Sequence, residues 1–315
     1  MTKRRLGRSE LFIEPLVLGT NVVGWTADEP TSFAIFDAYL AQGFNAIDTA
    51  DSYSRWVPGN DSESERIIGR WIKARGNRDK VLVFTKVGSD MGQGHRDLSA
   101  KWITEEVESS LRRLQTDYID LYQSHWFDPN VPQQETLEAY DRLVKAGKVR
   151  FIGTSNHDAT QLGDALAISQ REGIARYQTL QNEYNLYVRD KFEGAVQDLC
   201  VKEEVSGIHY YGLAAGFLTG KYRTAEDAAK SPRGKGVVDK YLNDKGLKIL
   251  AALDEIAART GAALGEIALA WVAAQPGVAA PIASATSVEQ VESLARGARL
   301  ELSAADLALL SAAGR

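Results

Sequence analysis

The chain has 315 residues, of which 44% are hydrophobic and 25% charged, and these are the proportions of an ordinary globular protein. A formal net charge of −5, with no long basic run, argues against a nucleic acid or an anionic membrane surface as a partner. The single cysteine, Cys200, excludes an intrachain disulfide and any metal site built from several cysteines. No apolar run reaches bilayer-spanning length and no signal-peptide core follows the basic N-terminus, so we expect a cytoplasmic protein.

The predicted elements alternate between strand and helix along the chain. A turn signal at residues 6–9 separates two short strand-like pieces, which predicts an N-terminal hairpin. Short apolar runs then predict strands, and apolar residues at helical spacing predict the helices between them. The eight strands are centred near Leu16, Ala46, Leu82, Ile119, Ile152, Thr179, Ile208 and Pro281.

Cap residues set the bounds of the predicted helices. Thr31 is the expected N-cap of the first helix, and Ser62 with Glu65 forms an expected capping box for the second. Asp158 is the expected cap of the fifth helix, which runs to residue 172. Residues 217–242, which contain Lys, Arg, Gly and Pro, are predicted to form a long loop after strand seven. The other helices are expected at residues 99–115, 133–146, 191–203, 245–259, 266–275 and 288–296.

Strict alternation of strand and helix indicates a parallel sheet, and eight strand–helix units are the number that closes a (β/α)8 TIM barrel. The alternative is an open doubly wound sheet, which would carry a Gly-x-Gly-x-x-Gly turn after its first strand. The chain has Leu18-Gly19-Thr20-Asn21 there instead. We therefore predict a single α/β barrel domain over residues 1–315, with a short N-terminal hairpin and a long loop after strand seven.

Four titratable side chains come at or just beyond the ends of three consecutive predicted strands. Asp48 ends the second strand, Tyr53 follows it, Lys86 ends the third strand and His125 ends the fourth. Such barrels build their active sites at the carboxyl ends of the strands, and neighbouring strands lie only about 5 Å apart. An ammonium lowers the pKa of a nearby tyrosine, and a neutral histidine donates to a carbonyl oxygen. The set suits protonation of a carbonyl oxygen, and it implies a nicotinamide cofactor because no side chain supplies hydride.

Six ordered segments carry a resemblance to a known family. They are GFNAIDTADSY at residues 43–53, VESSLRRL at 107–114, DYIDLY at 117–122, GTSN at 153–156, QNEYN at 181–185 and GFLTGKY at 216–222. Over nearly its whole length the chain resembles the aldo-keto reductase family. The resemblance implies reversible reduction of an aldehyde or ketone to an alcohol, with Tyr53 as general acid. The implied catalytic tetrad is Asp48, Tyr53, Lys86 and His125.

The resemblance also implies a nicotinamide cofactor that is bound extended, without a Rossmann domain. Ser155, Asn156 and Gln181 would hold its carboxamide, and the Tyr210 ring would stack on the nicotinamide. NADPH is expected because the family generally uses it, and NADH stays possible. The other implied contacts are Thr20, Asn21, Asp48, Tyr211, Gly212, Leu213, Ala214, Gly216, Lys221, Arg233, Ser284, Thr286 and Gln290.

Three departures from the family pattern lie on the adenosine half. Residues 210–214 read YYGLA where the family usually has Tyr-Ser-Pro-Leu-Ala. Ser284 begins the segment where the family pattern has Gly-Ala-Ser, and Ser293-Leu294 replaces a Glu-Asn pair that often faces adenine. Ser284 and Gln290 are neutral where many relatives carry a cation for the ribose 2′-phosphate. Lys221, Arg223, Arg233 and Lys235, on the long loop after strand seven, are expected to supply that charge by folding over the cofactor.

Aromatic side chains on the predicted loops indicate an apolar or ring-containing small-molecule carbonyl substrate. Two other functions stay open from the residues. One is a cofactor-sensing regulatory subunit with little turnover, because the family that the chain resembles also includes such subunits. The other is a metal-dependent hydrolase, disfavoured because the four histidines contain no His-x-His pair, so we expect no metal. The sequence indicates no oligomeric state. The expected substrate contacts are Trp25, Tyr53, Trp56, His125, Trp126 and Phe127.

Overall fold

The computed structural model of the chain describes residues 2–231 and 233–315. A short antiparallel hairpin, β1 (Arg4–Arg5) and β2 (Phe12–Ile13), precedes eight parallel strands that close into a barrel. The barrel strands are β3 (Val17–Gly19), β4 (Ala46–Asp48), β5 (Leu82–Val87), β6 (Ile119–Ser124), β7 (Val149–Ser155), β8 (Tyr177–Gln181), β9 (Ser206–His209) and β10 (Val278–Ala283).

The barrel strands follow one another in chain order, and β10 closes the ring by pairing with β3. Most strand residues are buried because side chains fill the inside of the barrel and helices cover the outside. Each predicted strand centre lies within an observed strand or next to one, so the predicted TIM barrel with its N-terminal hairpin is confirmed. The helices are α1 (Glu29–Ala41), α2 (Glu63–Arg75), α3 (Ala100–Leu114), α4 (Gln133–Lys145), α5 (Ala159–Glu172), α6 (Ala195–Glu203), α7 (Gly234–Tyr241), α8 (Asp244–Thr260), α9 (Leu264–Ala273), α10 (Val288–Arg299) and α11 (Ala304–Ala313).

The N-terminal hairpin covers the amino end of the barrel. Leu6, Leu11 and Ile13 are buried against apolar side chains from the barrel interior, including Phe84 and Ile208. Removing this much apolar surface from water stabilises the closed end by roughly 25 cal/mol per Å² buried. The carboxyl ends of the strands, at the other end of the barrel, are the part left for a site.

Two predicted caps are wrong, and tertiary contacts explain one of them. Asp28 rather than Thr31 caps α1, because Asp28 Oδ1 accepts the Thr31 N–H at 2.9 Å. The capping box at the start of α2 does not form, since Ser62 has a left-handed backbone with φ of 55° and makes no cap bond. Glu65 instead accepts hydrogen bonds from Arg113 Nε at 2.6 Å and Thr85 Oγ1 at 2.5 Å. The predicted Asp158 cap of α5 is confirmed, and the structure adds a capping box with Gln161.

The segment after β9 is more ordered than a loop. It contains two short 3-10 turns, Ala214–Thr219 and Ala225–Lys230, and then the helix α7. Gly234 and Gly236 in α7 weaken the helical signal in the sequence, which is why the segment reads as a loop. The helix α6 begins four residues later than predicted, and α11 was not predicted.

Within residues 2–231 and 233–315, no single helix is both long and apolar enough to cross a membrane. One pair, α8 and α9, reaches that length and composition only when taken together, and the two helices are bent by 103°.

Candidate functional site

A buried ion pair lies at the carboxyl ends of β4 and β5. Asp48 is the last residue of β4, and Lys86 is the fifth of the six residues of β5, so neighbouring strands bring them together. Lys86 Nζ donates to Asp48 Oδ2 at 2.6 Å, to the Thr49 carbonyl at 2.8 Å and to Tyr53 OH at 3.1 Å. Burial favours the neutral amine, but the Asp48 carboxylate and the Tyr53 oxygen outweigh it and hold the pKa of Lys86 above its ordinary value. Lys86 is therefore a charged donor with all three N–H groups engaged.

Tyr53 lines the cavity above this ion pair. Its hydroxyl oxygen accepts the hydrogen bond from Lys86, so its own proton is directed away from the ammonium. Burial raises the pKa of Tyr53, and the Lys86 charge opposes that shift without cancelling it. The net direction is opposite to the one suggested by the sequence, because desolvation of the phenolate outweighs its attraction to the ammonium.

The second oxygen of Asp48 is held by two amides, one from β6 and one from β8. Gln181 Nε2 donates to Asp48 Oδ1 at 2.9 Å, and Gln123 Nε2 donates to the same oxygen at 3.2 Å. Both carboxylate oxygens thus have donors, which is what a buried carboxylate requires. Sequence reasoning missed Gln123, although its place one residue before the end of β6 was a usable signal.

His125 follows β6 and is uncharged. Burial, with the Lys86 and Arg96 charges added, holds the pKa of His125 well below its ordinary value. Its Nδ1 lies 3.0 Å from Ser89 Oγ, and its ring meets the Tyr53 ring edge-on with centroids 5.9 Å apart. Since Ser89 engages Nδ1, Nε2 is the ring nitrogen left for a ligand.

A cavity of about 810 Å³ crosses the mouth of the barrel from Tyr53 and His125 to α10. Sixteen of the seventeen predicted cofactor contacts line it, and the exception is Ala214, which is buried beside it. Lys86 lies buried behind the cavity wall. The lining cofactor residues are Thr20, Asn21, Asp48, Ser155, Asn156, Gln181, Tyr210, Tyr211, Gly212, Leu213, Gly216, Lys221, Arg233, Ser284, Thr286 and Gln290.

Three tryptophans form the wall near Tyr53. Trp25 and Trp56 meet edge-on with ring centroids 5.7 Å apart, and Trp56 meets the Tyr53 ring at 6.3 Å. Trp126 stacks on His125 with centroids 5.6 Å apart. Phe127, by contrast, is not brought to the cavity, because its ring packs edge-on against His157.

Polar groups from β7, β8 and β9 form the floor next to Tyr53. Ser155 Oγ donates to the Gln181 carbonyl at 2.6 Å, and Tyr210 OH donates to Asn156 Oδ1 at 2.8 Å. Asn156 has a left-handed backbone, with φ of 56°, which turns its side chain towards His125. The floor therefore presents a flat tyrosine ring beside amide and hydroxyl groups.

A left-handed backbone turn marks the middle of the cavity. Ala214, Ala215 and Gly216 have φ values of 48°, 55° and 93°, directly after Leu213 at −98°. Within this turn the Ala214 N–H group donates to the Tyr211 carbonyl at 2.7 Å, and the Gly216 N–H group donates to the Leu213 carbonyl at 2.9 Å. A Cβ at Gly216 would lie 3.3 Å from Cε of Lys221, so the missing side chain lets the ammonium approach the turn.

The loop cations do not all reach the cavity. Lys221 and Arg233 line it, and the Arg233 guanidinium carbon lies 4.8 Å from the Trp25 ring centroid. Arg223 instead forms a two-pronged ion pair with Asp254, and Lys235 pairs with Asp239. The expectation that all four cations fold over a cofactor is therefore wrong for Arg223 and Lys235.

The cavity ends at α9 and α10. Ser284, Thr286 and Gln290 lie there as expected, together with Glu266 and Ser293. Sequence reasoning missed Glu266, because α9 follows no predicted active-site strand and nothing in its local pattern points to the barrel mouth. In the described part of the chain, no three His, Cys, Asp or Glu side chains are grouped so as to hold a metal ion.

Comparison with known proteins identifies the family. Residues 15–315 match the model of the aldo/keto reductase family. The chain is 33% identical to Protein tas of Escherichia coli, over 99% of this chain and 97% of that protein. It is 37% identical to Aldo-keto reductase YhdN of Bacillus subtilis, over 88% and 82%, and 31% identical to a probable voltage-gated potassium channel subunit beta of rice, over 92% and 89%. The chain belongs to the aldo/keto reductase family and is an oxidoreductase by that membership.

Proposed function

We propose that the protein reversibly reduces an aldehyde or ketone to an alcohol, with a nicotinamide dinucleotide as hydride source and Tyr53 as proton donor. The observation that carries the proposal is the contact of Lys86 Nζ with both Asp48 Oδ2 and Tyr53 OH. A buried ammonium touching a phenol at the edge of a cavity favours transfer of the phenol proton.

The residues that line the cavity support a dinucleotide as the cofactor. Ser155, Asn156 and Tyr210 would hold the nicotinamide end, and Lys221, which lies beside Gly216, would hold the phosphates. The bound dinucleotide supplies a hydride, which no side chain of the protein provides. The choice between NADPH, expected from the family habit, and NADH depends on charges at the other end of the cavity.

The proton step follows from the hydrogen bonds of Tyr53. As the carbonyl carbon gains a hydride, the Tyr53 O–H bond breaks and its proton passes to the carbonyl oxygen. Because burial raises the pKa of Tyr53, the phenol is protonated at neutral pH and ready to act as an acid. Lys86 then stabilises the tyrosinate at 3.1 Å, and Asp48 keeps Lys86 charged. The reverse sequence oxidises an alcohol.

His125 positions the substrate. Its lowered pKa keeps the imidazole neutral, so Nε2 carries a proton when Ser89 donates to Nδ1. The Nε2–H group would then donate to the carbonyl oxygen next to Tyr53. Trp25, Trp56 and Trp126 favour a small carbonyl compound with an apolar or ring-containing body.

Replacing Tyr53 by Phe tests the proposal because the change removes only the hydroxyl. We expect carbonyl reduction to fall about 10²–10⁴-fold, the usual contribution of a positioned acid. Dinucleotide affinity, measured by calorimetry, should stay near the wild-type value. Near-normal reduction by the Tyr53→Phe protein would refute Tyr53 as the acid.

A second candidate function is supported by the name of the rice relative, a probable channel beta subunit. In that case the barrel would sense the state of the dinucleotide and turn over little substrate. Wild-type turnover across a panel of aldehydes, ketones, keto-sugars and keto-steroids separates the two, since a sensor would bind dinucleotide and leave the panel unreduced.

A further inference from the structure

An arginine beside the tryptophan wall carries a charge that the protein does not neutralise. Arg96 is exposed and lies in the segment that joins β5 to α3. Its guanidinium carbon lies 4.4 Å from the centroid of the Trp126 ring. Within residues 2–231 and 233–315, Arg96 forms no ion pair and its side chain donates no hydrogen bond.

Trp126 connects Arg96 to the catalytic end of the cavity. Trp126 lines the cavity, and its ring stacks on the His125 ring with planes 13° apart. The Arg96 guanidinium carbon lies no more than 10.0 Å from the His125 ring centroid, because the two distances through the Trp126 centroid are 4.4 Å and 5.6 Å. His125 is the residue that would donate to the substrate carbonyl. Arg96 is therefore within reach of the other end of a small aromatic substrate.

The segment that carries Arg96 is anchored at two places to the loop after β6. Ser89 Oγ lies 3.0 Å from His125 Nδ1, and the Leu98 N–H group donates to Asp128 Oδ2 at 3.1 Å. The backbone of the segment is thus fixed against the catalytic histidine. A ligand that binds Arg96 would have to order one side chain and no backbone, which keeps the entropic cost of binding small.

The two acids of the same segment are engaged elsewhere. Asp97 Oδ1 accepts the Ser99 N–H at 2.8 Å, and Asp97 Oδ2 lies 4.0 Å from His95 Nε2. Asp90 Oδ1 accepts from two glycine N–H groups at 2.8 and 3.0 Å. Arg96 therefore keeps its positive charge without a carboxylate partner, in a protein whose formal net charge is −5.

The arginine next to Trp56 shows the opposite arrangement. Arg55 pairs with Asp61, and its Nη2 donates to the Met91 carbonyl at 2.9 Å. A substrate that contacts the tryptophan wall therefore meets an unpaired guanidinium beside Trp126 and a paired one beside Trp56. This asymmetry would orient an anionic substrate with its charged group towards Trp126.

We propose, on the basis of the proposed reductase function, that Arg96 binds a carboxylate of the substrate. The preferred substrate is then an aldehyde or ketone whose ring carries a carboxylate at the end away from the carbonyl. The carbonyl lies at Tyr53 and His125, and the ring lies against Trp126. The carboxylate meets the guanidinium, whose planar fork of donors matches its two oxygens.

Reduction of a matched pair of aldehydes by the purified full chain, with a reduced dinucleotide in excess, tests the proposal. Benzaldehyde with a para carboxylate and benzaldehyde with a para carboxamide differ in charge and hardly in shape. We expect kcat/KM to be about fivefold higher for the carboxylate at low salt, mainly through KM, which is the upper range for one exposed ion pair. The difference should shrink at high salt, because salt screens exposed charges.

Arg96→Met should abolish most of this difference. The loss of the cation–π contact with Trp126 affects both aldehydes alike, so the ratio between them isolates the ion pair. Arg96→Lys keeps the charge without the planar fork and should keep part of the preference. Arg142→Met is the matched control, because Arg142 is exposed on α4, and it should reproduce the wild-type ratio. Circular dichroism checks that each variant is folded.

A binding measurement separates this proposal from the reductase function. The two product alcohols cannot react with a reduced dinucleotide, so their binding can be titrated in its presence by tryptophan fluorescence. Tighter binding of the alcohol with the carboxylate, lost in Arg96→Met, supports the carboxylate site even where neither aldehyde is reduced and the reductase function fails. Equal kcat/KM and equal binding for the charged and neutral compounds, or an unchanged ratio in Arg96→Met, overturns the proposal; the reductase function still stands if both aldehydes are reduced.

Discussion

Lys86 Nζ lies 2.6 Å from Asp48 Oδ2, and both side chains are almost completely buried at the base of the cavity. Burying two charges is costly, and a pair of this kind is tolerated where its geometry and further hydrogen bonds satisfy both ions. Thr49 and Tyr53 accept the other two hydrogen bonds of the Lys86 ammonium, while Gln123 and Gln181 donate to the second oxygen of the Asp48 carboxylate. The hydrogen bonds that stabilise the buried ion pair therefore also hold the Lys86 ammonium next to the Tyr53 hydroxyl.

Replacing Lys86 by Met should damage both activity and stability. It leaves Asp48 as a buried carboxylate without its cation, so we expect a loss of about 3–5 kcal/mol in the free energy of unfolding. Reduction should fall at least as far as in Tyr53→Phe, because Tyr53 loses the charge that stabilises its phenolate. Urea unfolding and carbonyl turnover measure the two effects. Lys202→Met, at an exposed position on α6, should leave both unchanged; a folded and active Lys86→Met protein would contradict the role given to the ion pair.

The strand-end chemistry was predictable because it depends on features that a sequence displays directly. Apolar runs that end in Asp48 or Lys86 locate strand ends, and a parallel barrel brings those ends to one face. What the ion pair does to Tyr53 was not predictable. The direction of its pKa shift depends on how completely the phenol is buried, and burial is a property of the assembled fold.

The α10 end of the cavity and the helix caps show where sequence reasoning stops. Ser284 and Thr286 are potential donors in the sequence, and only the structure shows that Asn21 and Gln290 already accept their protons. Glu65 fits a capping box by spacing, but Arg113 on α3 provides a stronger partner. The Asn21 and Arg113 contacts join residues that are distant in sequence, and local spacing carries no information about them.

Two buried histidines should make the protein less stable in mild acid. Burial lowers the pKa of His157 to about 4 and that of His209 to about 3. The unfolded chain takes up these protons below its own pKa of about 6.5, whereas the folded chain does not, so stability falls as pH drops through that value. Between pH 7 and pH 5, each of these two histidines should lower the unfolding free energy of the protein by roughly 2 kcal/mol.

His157→Asn tests this pH dependence against a matched control. The variant lacks the titrating group, so its unfolding free energy should decrease less than that of the wild type between neutral and mildly acidic pH. His95→Asn removes an exposed histidine and should reproduce the wild-type dependence. An identical loss of stability in all three proteins would show that His157 titrates normally.

Asp51 is a buried acid whose carboxyl group lacks hydrogen-bond partners in the part of the chain that the structure describes. Within the described part of the chain, neither carboxyl oxygen has a hydrogen-bond partner, and burial, with Glu65 and Glu106 nearby, raises its pKa well above the ordinary value. A raised carboxyl pKa means that the folded state keeps its proton longer, so stability is lost as pH rises above the unfolded pKa of about 3.9. Asp51→Asn removes that loss and should raise the unfolding free energy at pH 7 by about 1–3 kcal/mol.

Urea unfolding at pH 5 and pH 7 checks the Asp51 prediction. The gain in Asp51→Asn should be larger at pH 7 than at pH 5, because the ionised form is the costly one. Asp117→Asn changes an exposed aspartate and should have little effect at either pH. A destabilised Asp51→Asn protein would show that the carboxyl makes a favourable interaction which an amide cannot replace.

Arg233 should control how tightly the dinucleotide is held. Its guanidinium carbon lies 4.8 Å from the centroid of the Trp25 ring, so it links the segment after β9 to the loop after β3 across the cavity. Arg233→Met removes a cation that lines the cavity and a cation–π contact. On the proposed function, the loss of one charge-assisted bond alone corresponds to about a tenfold or greater loss of affinity. Calorimetry should show that loss for both NADH and NADPH, with a weaker salt dependence than in the wild type.

Lys235→Met is the control for Arg233→Met, because Lys235 is two residues away, pairs with Asp239 and is 84% exposed. It removes the same formal charge, so its effect measures long-range electrostatics alone, and we expect almost none at moderate salt. Equal losses in the two variants would mean that Arg233 acts only through net charge. A loss confined to Arg233→Met places the guanidinium at the bound dinucleotide, and an equal effect on both cofactors would locate it at the phosphates that NADH and NADPH share.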